Sequence, residues 1–453
     1  MPTMIRIPAL ALAVACGLSA MAEPAAGEDL LQIYRDALVA DPTLGAARST
    51  YTATQELVPQ ARAGLLPVLS LLGNANYQNF QENLHSDPAT PLFTQRFPQY
   101  SYTVSASQPL FRMQNWITFD QAKQQVGQGE YVLASAQQDL IIRVAQAYFD
   151  VLLAQFTIEL TESQKAAVSE NLAQAKRNFE VGVATITDTN DAQAKYDQIV
   201  SQEIAVQNDL ANKVAALRAI IGRTPRELKR MERPFEPELP VPSALEPWVE
   251  KALNENYQVR IAQANFEIAA LEVDRQRAGH YPTVDLVASF NQTYAGAAAS
   301  TNVAANFASD TRTGVLGVQL NVPLYTGGLI SSRVRQAVAN LDVSRQNLET
   351  ARRSAQLLAQ VSFAGVTSGV AQVRALAQAV RSAQVSYDSN KLGLEVGVRT
   401  NLDVLNQQQQ VFQTRFNLAQ AYYNFLVNAL RLKQSVGSLT DEDVEKINRD
   451  LGG

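Results

Sequence analysis

Catalysis needs particular side chains brought close together, and this sequence supplies few of them. It holds two histidines, His85 and His280, and one cysteine, Cys16. The histidines are far apart and have no cysteine beside them, which is not metal-ligand spacing. No Ser-His-Asp or Cys-His set is available, and no carboxylate pair stands out from the general surface charge. There is no Gly-rich phosphate loop and no dinucleotide fingerprint. A net charge of −5 gives no basic field for nucleic acid. The expectation is a protein without cofactor, metal or enzymatic activity. The polar residues that do fall in a pattern belong to turns. Glu180-Val181-Gly182-Val183 is followed by Asp188, and Glu395-Val396-Gly397-Val398 by Asn401 and Asp403. Beta-branched residues around glycine end a helix, and a short polar side chain opens the next. Their chemistry is fixed charge and helix capping, not bond making.

That string recurs because the chain repeats itself. Ala37-Leu38 returns as Ala252-Leu253, Asp188 as Asp403 and Gly222 as Gly437, each 215 residues on. Leu66-Pro67 returns as Tyr281-Pro282 at the same spacing, and Gln108-Pro109-Leu110-Phe111 as Val322-Pro323-Leu324-Tyr325 at 214. Landmarks in one order at one offset mean a tandem duplication. The chain divides into residues 1–22, a first copy over 23–223, a linker over 224–247 with six prolines, a second copy over 248–437, and a tail over 438–453.

Each copy reads alike. A helix opens it, at about Asp29 to Ala63 and about Leu245 to Ala278, stopped by Gly64 or Gly279 with Pro67 or Pro282 beyond. Alternating segments follow: Val68 to Phe80, Gln99 to Gln108, Thr283 to Tyr294 and Gly314 to Pro323. Period-two alternation means strands with one apolar and one polar face, and about ten residues suits a tilted membrane-spanning strand. Leu71-Leu72 breaks the pattern of the first. Tyr77, Phe80, Tyr100, Tyr102 and Tyr294 could form interface belts. The connections, about Gln81 to Pro98 and Ala295 to Arg312, are long and polar. Proline-free helical patterns come next, at about Asn115 to Phe179 and Leu329 to Leu394. Sixty-five residues at 1.5 Å each span roughly 100 Å, a length that implies coiled-coil packing. Breaks at Gly182 and Gly397 turn each into a hairpin with a shorter helix, about Thr189 to Ile221 and Leu402 to Val436.

The N-terminus has the form of a signal peptide: Arg6, an apolar run from Ile7 to Leu18, and Ala20-Met21-Ala22 as cleavage pattern. A membrane anchor and a lipoprotein signal at Cys16 are the competing readings. Cleavage after Ala22 removes the one cysteine. Beyond the signal, Ile141 to Ala154 is the most apolar helical stretch, and Arg143, Gln146 and Asp150 interrupt it, so no helix is expected to span a bilayer.

Four membrane-type strands cannot close a barrel, and open edges are not tolerated in lipid. The chain must oligomerise. Two copies give eight strands and a nearly filled interior; three give twelve and leave a lumen. Helices continue every strand pair on the same side, so the barrel extends into a tube with the hairpin tips at its far end.

The chain resembles the TolC family of outer-membrane exit ducts along nearly its whole mature length. The most specific signature is Glu395-Val-Gly-Val-Arg-Thr-Asn-Leu-Asp-Val-Leu405, with its partner Glu180 to Asp188. Tyr34-Arg35-Asp36-Ala37-Leu38 with Asp41-Pro42 looks like members that serve type I protein secretion. The resemblance implies an α+β membrane protein of the Gram-negative outer membrane. It would be a homotrimer with a 12-stranded β-barrel, four strands per chain, and an α-helical periplasmic tunnel. It also implies recruitment by a periplasmic adaptor and an inner-membrane ABC or proton-driven transporter, and gating at the tips. By position Arg399 matches the family's locking arginine, Thr187 and Asp188 its polar partners, and Asp403 its first acidic ring. The sequence departs at Asn406, where a second acidic residue is expected, and at Leu394, where a locking tyrosine is often found. Three Asp403 carboxylates around a threefold axis would repel one another and attract cations. Gly182 and Gly397 mark the tips.

The rival expectations are a periplasmic adaptor or structural coiled-coil protein with its strands in a soluble domain, and an enzyme using dispersed carboxylates. For Arg399 the alternative is a solvated cation, and for Asp403 a helix-start carboxylate held by the helix dipole.

Overall fold

The computed structural model describes residues 27–82, 93–183, 185–230, 236–297, 299–300 and 308–451. The signal segment, Cys16 and His85 lie outside them.

The opening helix is broken where it was expected to be continuous. It forms α1 (Leu30–Ala40), α2 (Pro42–Gln55) and α3 (Leu57–Ala63). Pro42 has no N–H and drives Asp41 out of the helical region, to φ −67° and ψ 116°. The Asp41 carboxylate then caps α2, accepting from Thr43 N–H at 2.6 Å and Leu44 N–H at 3.3 Å. The second copy breaks at the equivalent residue. Asn256 separates α6 (Glu246–Glu255) from α7 (Tyr257–Arg277) and accepts from the N–H groups of Gln258 and Val259. The two caps have since taken different partners. Asp41 forms an ion pair with Arg143 at 2.6 Å, whereas Asn256 donates to the Ser435 carbonyl at 2.8 Å.

One antiparallel sheet follows, in the order β1 (Val68–Glu82), β2 (Phe93–Phe111), β3 (Thr283–Ala295), β5 (Ser309–Asn321). A two-residue β4 (Ala299–Ser300) pairs beside the start of β2. The strands outrun the alternating segments: β2 reaches past Pro109 because its register against β3 shifts between Pro109 and Phe111. The register places Leu71, Val104 and Phe290 in one row and Ala106, Ala288 and Leu316 in another. Among the described residues this apolar face has no protein against it. Leu71 is 73% exposed, Leu316 78% and Val318 64%. Tyr77, Tyr100, Tyr102 and Tyr294 are exposed on the same face, and Tyr100 stacks on Tyr294. The Phe80 side chain lies outside the described part. The opposite face carries Ser70, Ser105, Thr103 and Asn291, bonded side chain to side chain across the strands. An apolar face turned outward and a hydrogen-bonded polar face turned inward is the pattern of a barrel in lipid.

The sheet joins the two copies, β2 of the first to β3 of the second. At its base Arg112 grips Asp285 with two bonds of 2.8 and 2.7 Å. At the copy-equivalent positions stand Thr326 and Ser70, neither of which carries a charge, so no ion pair can form between them.

Beyond the sheet run α4 (Met113–Glu180, 68 residues) and α8 (Leu329–Glu395, 67 residues). They return as α5 (Ile186–Ile221) and α9 (Asn401–Ser435). One stretch of α4 is long and apolar enough to cross a membrane. Its apolar residues, Leu140, Ile141, Val144, Tyr148, Phe149 and Val151, are instead the center of the protein core. Residues of α1, α5, α8 and α9 share that core, and Phe149 stacks on Tyr423 at 5.4 Å. The tail carries a helix of its own, α10 (Asp441–Asp450), which buries Val444 and Ile447 in this core. Tyr34 donates to Asp441 at 2.6 Å, and Asn448 to Asp29 at 3.0 Å.

Burial pushes the Asp41 carboxyl up, but Thr43 and Arg143 outweigh it and hold it below the usual carboxylate range. A depressed group stabilises above its ordinary range and loses that contribution as pH falls through the folded value. Asp41→Asn keeps the cap and loses the charge. It is expected to cost about 1 kcal/mol at neutral pH, since Arg143 can still reach water. In thermal unfolding followed by circular dichroism, the gap between wild type and variant should close below about pH 4.

Candidate functional site at the helical hairpin tips

Both long helices end in the same turn. In α4 the N–H of Val183 donates to Asn178 O at 2.9 Å, and that of Gly182 to Phe179 O at 3.0 Å. In α8 the N–H of Val398 donates to Gly393 O at 2.9 Å, and that of Gly397 to Leu394 O at 3.0 Å. These are paired Schellman bonds, which need a left-handed residue at the turn. Gly182 has φ +77° and Gly397 +78°. The next helix opens on a capping box. Thr185 and Asp188 cap α5; Thr400 and Asp403 cap α9. Asp403 Oδ2 accepts from Thr400 N–H at 3.0 Å and from its hydroxyl at 2.9 Å. Asp188 does the same with Thr185 at 2.9 and 2.8 Å. The helix-start reading of both carboxylates is thus realised within one chain. Hydrogen bonds from Thr185 hold the Asp188 carboxyl below its ordinary range. Those from Thr400, aided by the Arg399 charge, do so for Asp403. Both stay ionised throughout the neutral range.

The remaining expected residues are placed as follows. Arg399 is exposed at the tip and makes no ion pair among the described residues. Thr187 is exposed on the first turn of α5, and Asn406 is exposed one turn after Asp403. Leu394 is half-buried, its carbonyl occupied by Gly397. The first-tip counterpart of Arg399, Ala184, lies outside the described residues. Within one chain the structure does not bond Arg399 to Thr187 or Asp188. The hairpins instead meet through apolar packing, Leu405 of α9 against Val168 and Ile199 of the first hairpin.

Two features escaped the sequence reading. Gly393 is buried under Arg399, a contact with no signal in spacing or composition. The segment Tyr34 to Leu38 is core and clamp: Tyr34 and Ala37 are buried, and Asp36 pairs with Arg223. Among the described residues no three His, Cys, Asp or Glu side chains cluster as a metal site.

Gly182→Ala and Gly397→Ala each force a Cβ into the left-handed region, at about 1 kcal/mol. Amide hydrogen exchange at Val183 or Val398 should quicken by about five-fold, the factor that this energy gives, while the core stays protected.

A family model described as "Outer membrane efflux protein" matches the chain twice, over residues 33–223 and 248–438. The outer membrane protein TolC of Vibrio cholerae is 32% identical over 98% of this chain and 98% of its own length. The proteases secretion protein PrtF of Dickeya chrysanthemi is 29% identical over 98% of this chain and 95% of its own. Among solved structures, the Campylobacter jejuni CmeC outer membrane channel superposes with a TM-score of 0.77 at 14% identity, over 99% of this chain and 98% of that one. With both copies matched and the full length shared in sequence and fold, the chain belongs to the outer membrane efflux protein family and is a TolC-type export channel of the outer membrane.

Proposed function

We propose that three copies close into a passive exit duct, loaded from the periplasm by an inner-membrane transporter through an adaptor protein. The observation that carries this is the four-stranded sheet, with one exposed apolar face and two edges unpaired among the described residues, continued by helices roughly 100 Å long. In chain order the strands alternate in direction, so β5 of one copy runs antiparallel to β1 of the next. Any whole number of copies therefore closes without a parallel seam. Three copies leave a lumen where two do not. A soluble adaptor with the same strands would expose the apolar row to water. The PrtF likeness supports protein secretion as one use of the duct, and the family model's description supports efflux as the other.

The tips form the gate. The Arg399 guanidinium makes no ion pair or hydrogen bond in its own chain among the described residues, so its polar link crosses to Thr187 or Asp188 of a neighbouring copy. Asp403 gives the acidic ring. Asp403 Oδ1 takes no hydrogen bond among the described residues, which leaves it for cations. Asn406 makes the next ring neutral, and Leu394 withdraws one polar link from the lock.

Purified protein in planar lipid bilayers is expected to give ion-conducting channels with a small resting conductance; silence there would sink the duct. Arg399→Ala should raise the resting conductance. Asp403→Ala should raise the half-blocking concentration of a divalent cation by about ten-fold, the order expected when three carboxylates no longer act on one ion. An unchanged block would remove Asp403 from the ring.

A further inference from the structure

Glycine inside a helix weakens it relative to alanine, so a buried helical glycine needs a reason. Gly393 is buried in the last turns of α8, six residues before Arg399. Its carbonyl accepts from both Val398 N–H, at 2.9 Å, and Arg399 N–H, at 3.2 Å. The Arg399 stem folds back over its Cα. A Cβ at position 393 would lie 2.7 Å from Arg399 Cγ and 3.4 Å from Arg399 Cβ, too close for the first to stay where it is.

The turn itself does not require this glycine. The first tip makes the same Schellman bonds with Asn178 in the equivalent place, since 178 plus 215 is 393. The copies differ in the residue six positions further on. The sequence has Ala184 in the first and Arg399 in the second, again 215 apart. Where the tip residue is short, the seat carries a side chain; where it is arginine, the seat is bare. We propose that Gly393 is a positioning residue for Arg399, a seat that lays the arginine stem along α8 and aims its guanidinium at the neighbouring chain.

The proposal rests on the locking role of Arg399, and the two can be tested apart. Resting single-channel conductance and thermal unfolding would be measured for wild type, Gly393→Ala, Arg399→Ala and the double variant. The seat predicts that Gly393→Ala raises conductance by the same factor as Arg399→Ala. It also predicts that the double variant adds nothing, and that unfolding shifts no lower, because alanine favours the helix. Gly393→Ala at wild-type conductance beside a leaky Arg399→Ala would overturn the seat and keep the lock. A double variant leakier than either single one would also overturn it, because Gly393 would then act on the gate without Arg399. An Arg399→Ala channel like wild type would overturn the lock, and the seat with it.

Discussion

An unpaired backbone N–H or C=O costs several kcal/mol in hydrocarbon, and that single penalty organises this protein. β1 and β5 carry such groups along 15 and 13 residues. No side chain can cover an edge of that length, so only another strand will do. The penalty turns a four-stranded sheet into part of a ring and fixes the ring's hand of pairing. Helices must then leave the ring side by side. Their packing on one another follows from that start, and so does the position of the tips, far from the lipid.

Most of this was legible in the sequence because it is periodic. Alternation marked the four strands, and the absence of proline marked α4 and α8 to within two residues at each end. The duplication carried each reading from one copy to the other. What escaped has no period. The breaks at Asp41 and Asn256 share one short side chain bonding to the amides just after it, and Pro42 adds to the first alone. Apolar spacing runs straight through both. Helix α10 is ten residues long and strongly charged, and its apolar residues identify it only once the core that receives them is known. The seat at Gly393 is a contact between two residues whose types, taken separately, say nothing.

Within one chain the tips differ by little. Asp188 and Asp403 are satisfied by their own threonines, as helix starts anywhere would be. Schellman bonds and capping boxes give both turns one backbone. That shared, stiff frame is what allows a few side chains to decide the difference between the tips.

The Arg112–Asp285 grip has a counterpart at the other seam in position only, where the uncharged Thr326 and Ser70 stand. A ring of six identical units could not hold that difference, since one codon would write all six places. Fusing two units into one gene gave alternate places separate codons. Half the seams could then gain a fixed charge pair while the other half stayed free of it. Evolution was thereby free to specialise alternate units, strengthening the joint made at translation without altering the joints made at assembly.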